Sequence, residues 1–292
     1  MSRPKALRTP WLPKLVVAPG FLLSFFFIYG LIAWNGYLSV SASHLMPNYT
    51  FIGLENYHNL FESDRFRVAL QNMLIFGALF IGGSMAIGLL LAILLDQKIR
   101  AEGALRTIYL YPMAISFIVT GTAWKWILNP GLGVEHLVRG WGFPDFKFDW
   151  LVDDRYAIYC VVIAGVWQAS GFVMALFLAG LRGIDDAIIK AAQIDGASLP
   201  RIYWRIVVPS LRPVFFSTLM IVSHLSIKSF DLVVALTAGG PGYSTDLPAT
   251  FMYAMSFSRG QLALGAASAN VMLCMVAAIV VPYLYSELRA KK

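Results

Sequence analysis

Residues 190–209 read KAAQIDGASLPRIYWRIVVP, a polar stretch rich in small residues between two long apolar runs. On a helix, Ala191, Ala192 and Asp195 fall on one face, because residues three and four apart are neighbours. That face would be a knob of small side chains with one carboxylate. Gly196 permits a sharp turn and Ala197 follows it. Ser198 can cap a second helix, and Pro200 suits its first turn. The second piece is amphipathic, includes Ile206, and is expected to stop at Pro209. The reading is a short helix-turn-helix standing off a membrane surface and shaped for a cleft on another protein.

Composition puts the rest of the chain in a bilayer. Of 292 residues, 58% are hydrophobic and 13% charged, with a mean hydropathy of +0.67. A soluble domain would carry roughly 25% charged residues. Cys160 and Cys274 both lie in apolar runs without metal-ligand spacing, and are read as buried small hydrophobes rather than a disulfide.

Six apolar runs follow in order, at residues 15–34, 68–95, 107–128, 157–181, 213–237 and 261–285. Each is long enough for the ~30 Å hydrocarbon core, which needs about 20 residues. The first is expected to form a helix over 15–36. A signal peptide is the competing reading, but its apolar region spans about 7–15 residues, and this run is longer and rich in Phe. Gly82, Gly83 and Gly88 in the second run allow close helix approach. Pro112 in the third is tolerable where neighbours satisfy the freed carbonyl.

Lysine and arginine are distributed unevenly. The 1–14 segment, loops 96–106 and 182–212 and the C-terminal end carry fifteen, against six in the opposite loops. This bias places both termini and loop 182–212 in the cytoplasm. It also accounts for the net charge of +7 without any nucleic-acid partner. The polar residues of the fifth run need a reason at bilayer depth, where a charge costs at least ~2.5–3.5 kcal/mol on insertion scales. Lys228 and Asp231 are three apart and would face each other on a helix. With His224 they are candidates for a translocation path. The alternative is an internal pair that merely orients the helix, with His224 as a core histidine. Trp124, Trp126 and Trp167 could stack on a sugar, or could serve the membrane interface as Trp commonly does.

The 190–209 stretch resembles the coupling-loop motif of bacterial ATP-binding-cassette importer permeases. The match is carried by Ala191, Ala192, Asp195, Gly196, Ala197, Ile206 and Pro209. Lys190 stands where that family usually has Glu, so Asp185 or Asp186 is a possible substitute. FIGLENY at 51–57, RTIYLYP at 106–112, GFVMALFLAGL at 171–181 and FDLVVALTAGGPGYST at 230–245 resemble sugar-importer permeases of the maltose-permease type. IIKAAQIDGAS, RPVFF, IKSFDLV and PYLYSELR look closest to glucose/mannose importers. The GGPG turn is not a phosphate loop, since no GK[ST] follows.

The resemblance implies an all-α integral membrane protein of the type I ABC importer permease fold. It would have six transmembrane helices and a cytoplasmic coupling loop. The expected organisation is a cytoplasmic segment 1–14, a first helix 15–36, a transmembrane domain 68–286 and a cytoplasmic tail 287–292, in a bacterial inner membrane. The implied partners are a second permease, a dimer of ATPase subunits, a periplasmic sugar-binding protein and membrane lipid. No catalytic residue, metal or cofactor is expected on this chain, and ATP and Mg would sit on the ATPase subunits. Two rival classes remain. A secondary transporter would use Lys228, Asp231 and His224 as a proton relay, and a channel or scaffold protein would show no saturable uptake.

Overall fold

A computed structural model describes residues 11–97 and 99–290. Most of the expected 1–14 segment, Lys98 and the last two residues of the expected tail therefore lie outside the described residues. The described residues are helical, with one isolated bridge between Ser41 and Phe51 and no sheet.

The elements run α1 (Leu12–Ser39), α2 (Glu55–Glu62), α3 (Asp64–Asp96), α4 (Glu102–Ala114), α5 (Phe117–Ile127), α6 (Val134–Gly140) and α7 (Ala157–Leu181). Then come α8 (Asp186–Ile194), α9 (Leu199–Ile202), a π-helical turn (Tyr203–Val207), α10 (Val208–Ser210) and α11 (Arg212–Ile227). The chain closes with α12 (Asp231–Leu236), α13 (Pro248–Tyr253), a second π turn (Ala254–Ser258) and α14 (Leu262–Ala290). Among the described residues, four helices are long and apolar enough to cross a membrane, or six spans if two bent pairs each count as one.

Helix α7 occupies the centre and has the bounds that hydropathy gives it. Its packing depends on small residues. A Cβ on Gly171 would lie 1.8 Å from the Tyr109 carbonyl oxygen, and one on Gly88 would lie 2.5 Å from a Val173 methyl. These contacts bring α4 and α3 against α7 at backbone distance, the usual way helices associate in lipid.

Two of the six runs are not single helices. The third breaks between α4 and α5 with a 99° bend. Pro112 cannot donate to the helix ladder, Ile115 is extended, and the Ser116 hydroxyl caps α5 by accepting from the Val119 N–H at 3.4 Å. The Gln168 side chain donates to the freed Ile115 carbonyl at 2.7 Å, so the break carries its own partner from α7. The fifth run ends as a helix at Ile227, and a 64° bend at Leu211 separates it from residues 199–210.

Other expectations are corrected here. Pro209 does not stop a helix. It sits inside α10, after the π turn, and the break falls at Leu211. A proline ring clashes with the carbonyl four residues earlier in an α-helix, and the wider π turn ahead of Pro209 spaces that carbonyl differently. Ser198 occupies the N-cap position of α9, but its side chain makes no capping bond. Cys160 is buried but Cys274 is exposed, because α14 turns part of its surface outward. The first helix extends beyond the expected 15–36, and α14 continues to Ala290, into the expected tail.

Helix α1 is mostly exposed along its apolar length. A polar clamp ties its end to α14. The Asn35 amide donates to Asn270 Oδ1 at 2.8 Å, and the Asn270 amide donates to the Ser39 and Tyr57 hydroxyls at 2.9 and 3.0 Å.

Candidate functional site

The 182–212 loop folds as the sequence suggests, and the glycine explains how. Asp185 caps α8 through a carboxylate oxygen that accepts from the Ala187 N–H at 2.9 Å. The helix ends at Ile194. The Gly196 N–H then reaches the Gln193 carbonyl and the Ala197 N–H reaches back to Ala192, both at 3.0 Å. This is a Schellman closure, which requires a left-handed residue after the C-cap. Gly196 fills that place with φ +78° and nothing within 4 Å of where a Cβ would stand.

The seven motif residues do not share one face. Ala191, Asp195, Gly196 and Pro209 are exposed, whereas Ala192, Ala197 and Ile206 pack against the hydrophobic core. Asp195 is the C-cap of α8, with its N–H on the Ala191 carbonyl at 3.0 Å, and it is exposed with Ala191, whereas Ala192 is half-buried. Beside them, Ile188, Leu199 and Trp204 are exposed, and Ile194 is 86% exposed. The outward surface therefore mixes these apolar side chains with the Asp195 carboxylate and with the exposed cations Lys190, Arg201 and Arg205. Asp185, one candidate to replace the acid missing at Lys190, is engaged as the α8 cap. The side chain of Asp186 lies outside the described ones.

The elbow is joined to the helices behind it. Tyr203 Oη donates to Asp96 Oδ2 at 3.2 Å, and Gln97 Nε2 donates to Tyr203 Oη at 2.8 Å. Arg182 pairs with Glu102, linking the end of α7 to the start of α4. Burial, and then the Asp96 carboxylate, push the Tyr203 phenol above its ordinary value, so it remains a donor at neutral pH.

Lys228 and Asp231 do not form the expected i, i+3 pair. Lys228 is the C-cap of α11, the chain turns through Ser229 and Phe230, and Asp231 opens α12. Among the described residues no ion pair joins them. Both nonetheless line one cavity of about 160 Å³, together with Phe76, Phe80 and Phe117. His224 is exposed one turn earlier on α11 and does not line it. Trp124 and Trp167 meet edge to face at 5.8 Å in a separate, largely apolar groove, while Trp126 is exposed outside it.

Sequence reasoning missed a node after the GGPG turn. Asp246 is 1% exposed and accepts from Arg65 Nε at 2.5 Å and from the Thr250 hydroxyl at 3.0 Å. The Asn72 amide donates to the Asp246 carbonyl at 3.0 Å. The Arg65 guanidinium stacks over Tyr243 at 4.3 Å. A Cβ on Gly239 (φ +87°) would meet Asp246 Oδ1 at 2.6 Å, so only glycine fits there. The node fixes the segment after α12 to the start of α3. The one readable signal was the Asp that follows GGPGYST.

Residues 84–290 match the family described as the binding-protein-dependent transport system inner membrane component. The chain belongs to this family of inner-membrane transport components. A probable ABC transporter permease protein of Pyrococcus horikoshii is 41% identical over 282 residues, covering 95% of this chain and 97% of that one. The xylose/arabinose import permease protein of Haloferax volcanii is 38% identical over 243 residues, covering 82% and 76%. An sn-glycerol-3-phosphate transport system permease protein of Pectobacterium atrosepticum is 31% identical over 285 residues, covering 96% and 95%. Among solved structures, a chain of a bacterial ABC transporter that imports the acidic polysaccharide alginate superposes with a TM-score of 0.84 at 21% identity, over 99% of each chain. That likeness concerns the fold, which is that of a type I ABC importer permease.

Proposed function

We propose that this chain is one of two non-identical permease subunits of an ATP-driven sugar importer, with glucose or mannose as its cargo. Its termini and elbow would face the cytoplasm. The observation that carries the reading is the elbow: a glycine-closed helix-turn-helix that offers Ile194, Ala191 and Asp195 outward while tying Tyr203 to α3. A pair of ATPase subunits would grip that surface, and ATP and Mg would be held there rather than on this chain. A periplasmic binding protein would deliver sugar to the opposite loops. The relatives' names support a small polar cargo, since they include xylose/arabinose and glycerol-3-phosphate permeases. The preference for glucose or mannose rests on the resemblance of IIKAAQIDGAS and IKSFDLV.

The cavity with Lys228 and Asp231 supports these residues as the polar part of the translocation path, with four Phe rings beside them, Phe230 among them. Hydroxyl-rich cargo suits such a lining, because charged groups accept and donate strongly and rings offer an apolar wall. His224 stands apart from that cavity, which weakens a proton relay through all three.

The test is purification of the complex from membranes, followed by ATPase and uptake assays over a panel of mono- and disaccharides. ATPase subunits should co-purify, and hydrolysis should rise with sugar-loaded binding protein. Uptake without a nucleotide-hydrolysing partner, and abolished by collapse of the proton gradient, would establish the secondary-transporter reading instead.

A further inference from the structure

We propose that Tyr203 is a positioning residue, the latch through which movement of the elbow reaches the cavity-lining helix α3. The proposal rests on the importer reading above.

The argument begins with an acid in an unfavourable place. Asp96 ends α3, where the carbonyl end of the helix dipole repels negative charge and a basic residue would be favoured. Nothing basic occupies that last turn. Asp96 instead accepts from Tyr203, 107 positions later in the chain. Its neighbour Gln97 donates to the same phenol and, more weakly at 3.4 Å, to the Ile93 carbonyl. Two consecutive residues at the end of a helix thus converge on one hydroxyl. Among the described residues, these are the hydrogen bonds that join the 186–210 segment to α3.

Tyr203 is also where the elbow changes character. Before it lie α8, the Gly196 turn and α9. After it comes the π turn, closed by the Val208 N–H on the Tyr203 carbonyl, and then the 64° bend at Leu211. Single π turns are frequent at functional sites. A cavity of about 470 Å³ opens beside the latch, between Leu90 and Ile93 of α3 and Leu199, Trp204 and Val208 of the elbow. Apolar packing against α3 is therefore incomplete on that side, and the phenol bridges the two elements next to the gap.

The far part of α3 carries Phe76 and Phe80 in the Lys228–Asp231 cavity. Sixteen residues separate Phe80 from Asp96, roughly 24 Å of continuous helix at 1.5 Å per residue. A pull on Asp96 is delivered along a rigid rod to the cavity wall. The Arg182–Glu102 pair lies upstream of the elbow and reaches α4 instead.

The experiment uses the full complex in proteoliposomes, with wild type, Tyr203→Phe, Asp96→Ala, Asp96→Asn and the Tyr203→Phe/Asp96→Ala double variant. Co-purification of the ATPase and basal hydrolysis should be unchanged in all. Tyr203→Phe should lower both the stimulation by sugar-loaded binding protein and the sugar moved per ATP by roughly fivefold or more, the scale of a modest coupling free energy. Asp96→Ala should match it, the double variant should be no worse than either single one, and Asp96→Asn, which keeps an acceptor, should retain most of the coupling. Tyr203→Phe that couples like wild type would overturn the latch. So would multiplied losses in the double variant, or loss of the ATPase from the complex, which would make Tyr203 an assembly residue. A wild-type preparation that transports with no ATPase attached would instead overturn the importer reading, and the latch with it.

Discussion

Replacing Asp246 by Asn tests the buried node most directly, because Asn keeps the shape and removes the charge. The Arg65 side chain is 17% exposed and the Asp246 side chain 2%, with 2.5 Å between Nε and Oδ2. Removing one partner of such a pair leaves the other charge buried and uncompensated, a loss of about 3–5 kcal/mol. Arg65→Met should cost at least as much, since it also removes the guanidinium from the Tyr243 ring, a contact of roughly 0.5–2 kcal/mol. The internal control is Asp64→Asn. Asp64 pairs with Arg67 at 3.3 Å but is 95% exposed, and exposed pairs contribute only about 0.2–1 kcal/mol. The assay is denaturant unfolding of the detergent-solubilised protein, followed by tryptophan fluorescence, for both single variants and the double one. Asp246→Asn and Arg65→Met together should cost clearly less than the sum of the two, because removing both charges leaves neither stranded. Stability of Asp246→Asn equal to that of Asp64→Asn, or strict additivity in the cycle, would refute the reasoning.

Gly196→Trp should leave membrane insertion intact but strain the left-handed turn and abolish sugar uptake, since the φ of +78° disfavours a side chain and the indole would stand on the exposed elbow; uptake at the wild-type rate would end the docking proposal. Gly171→Ala should destabilise at the upper end of ~1–3 kcal/mol, because its Cβ meets a backbone carbonyl that moves only if α4 moves; the same denaturation assay reads it. Lys228→Met and Asp231→Asn should each raise the sugar concentration for half-maximal uptake without lowering ATPase co-purification, and uptake kinetics on the intact complex check this.

The apolar runs made the long helices legible, and α7 matched because it is apolar on every side and has no breaker. The bend at 115–116 was hidden because a hydropathy window averages across a short break inside an apolar run, whereas the bend at Leu211 falls where the polar loop meets the fifth run. Pro112 and Pro209 were visible, but the breaks fall two or more residues downstream of each: at 115–116, where Gln168 satisfies the freed carbonyl, and at Leu211, while the π turn that accommodates Pro209 lies ahead of it. The Gly196 turn was legible from local chemistry. The inward aim of Ala192, Ala197 and Ile206 was not, since that depends on what lies behind the elbow. Lys228 and Asp231 were read as helix neighbours because the apolar run resumes at Leu232, yet the helix ends at Ile227 and the two line one cavity from either side of a turn. The Arg65–Asp246 pair spans 181 positions, a separation no local pattern encodes.

The clamp on α1 bears on how the protein is made. Asn35 and Ser39 leave the ribosome well before Asn270, which holds them and follows 235 and 231 positions later. At about 5–20 residues per second, the opening rod waits roughly ten to forty-five seconds for its mate. Through that interval its end has Asn56 and Tyr57 as partners, and its apolar length has lipid or a helper in the insertion machinery, so slowed translation between the two should raise its clearance by membrane proteases.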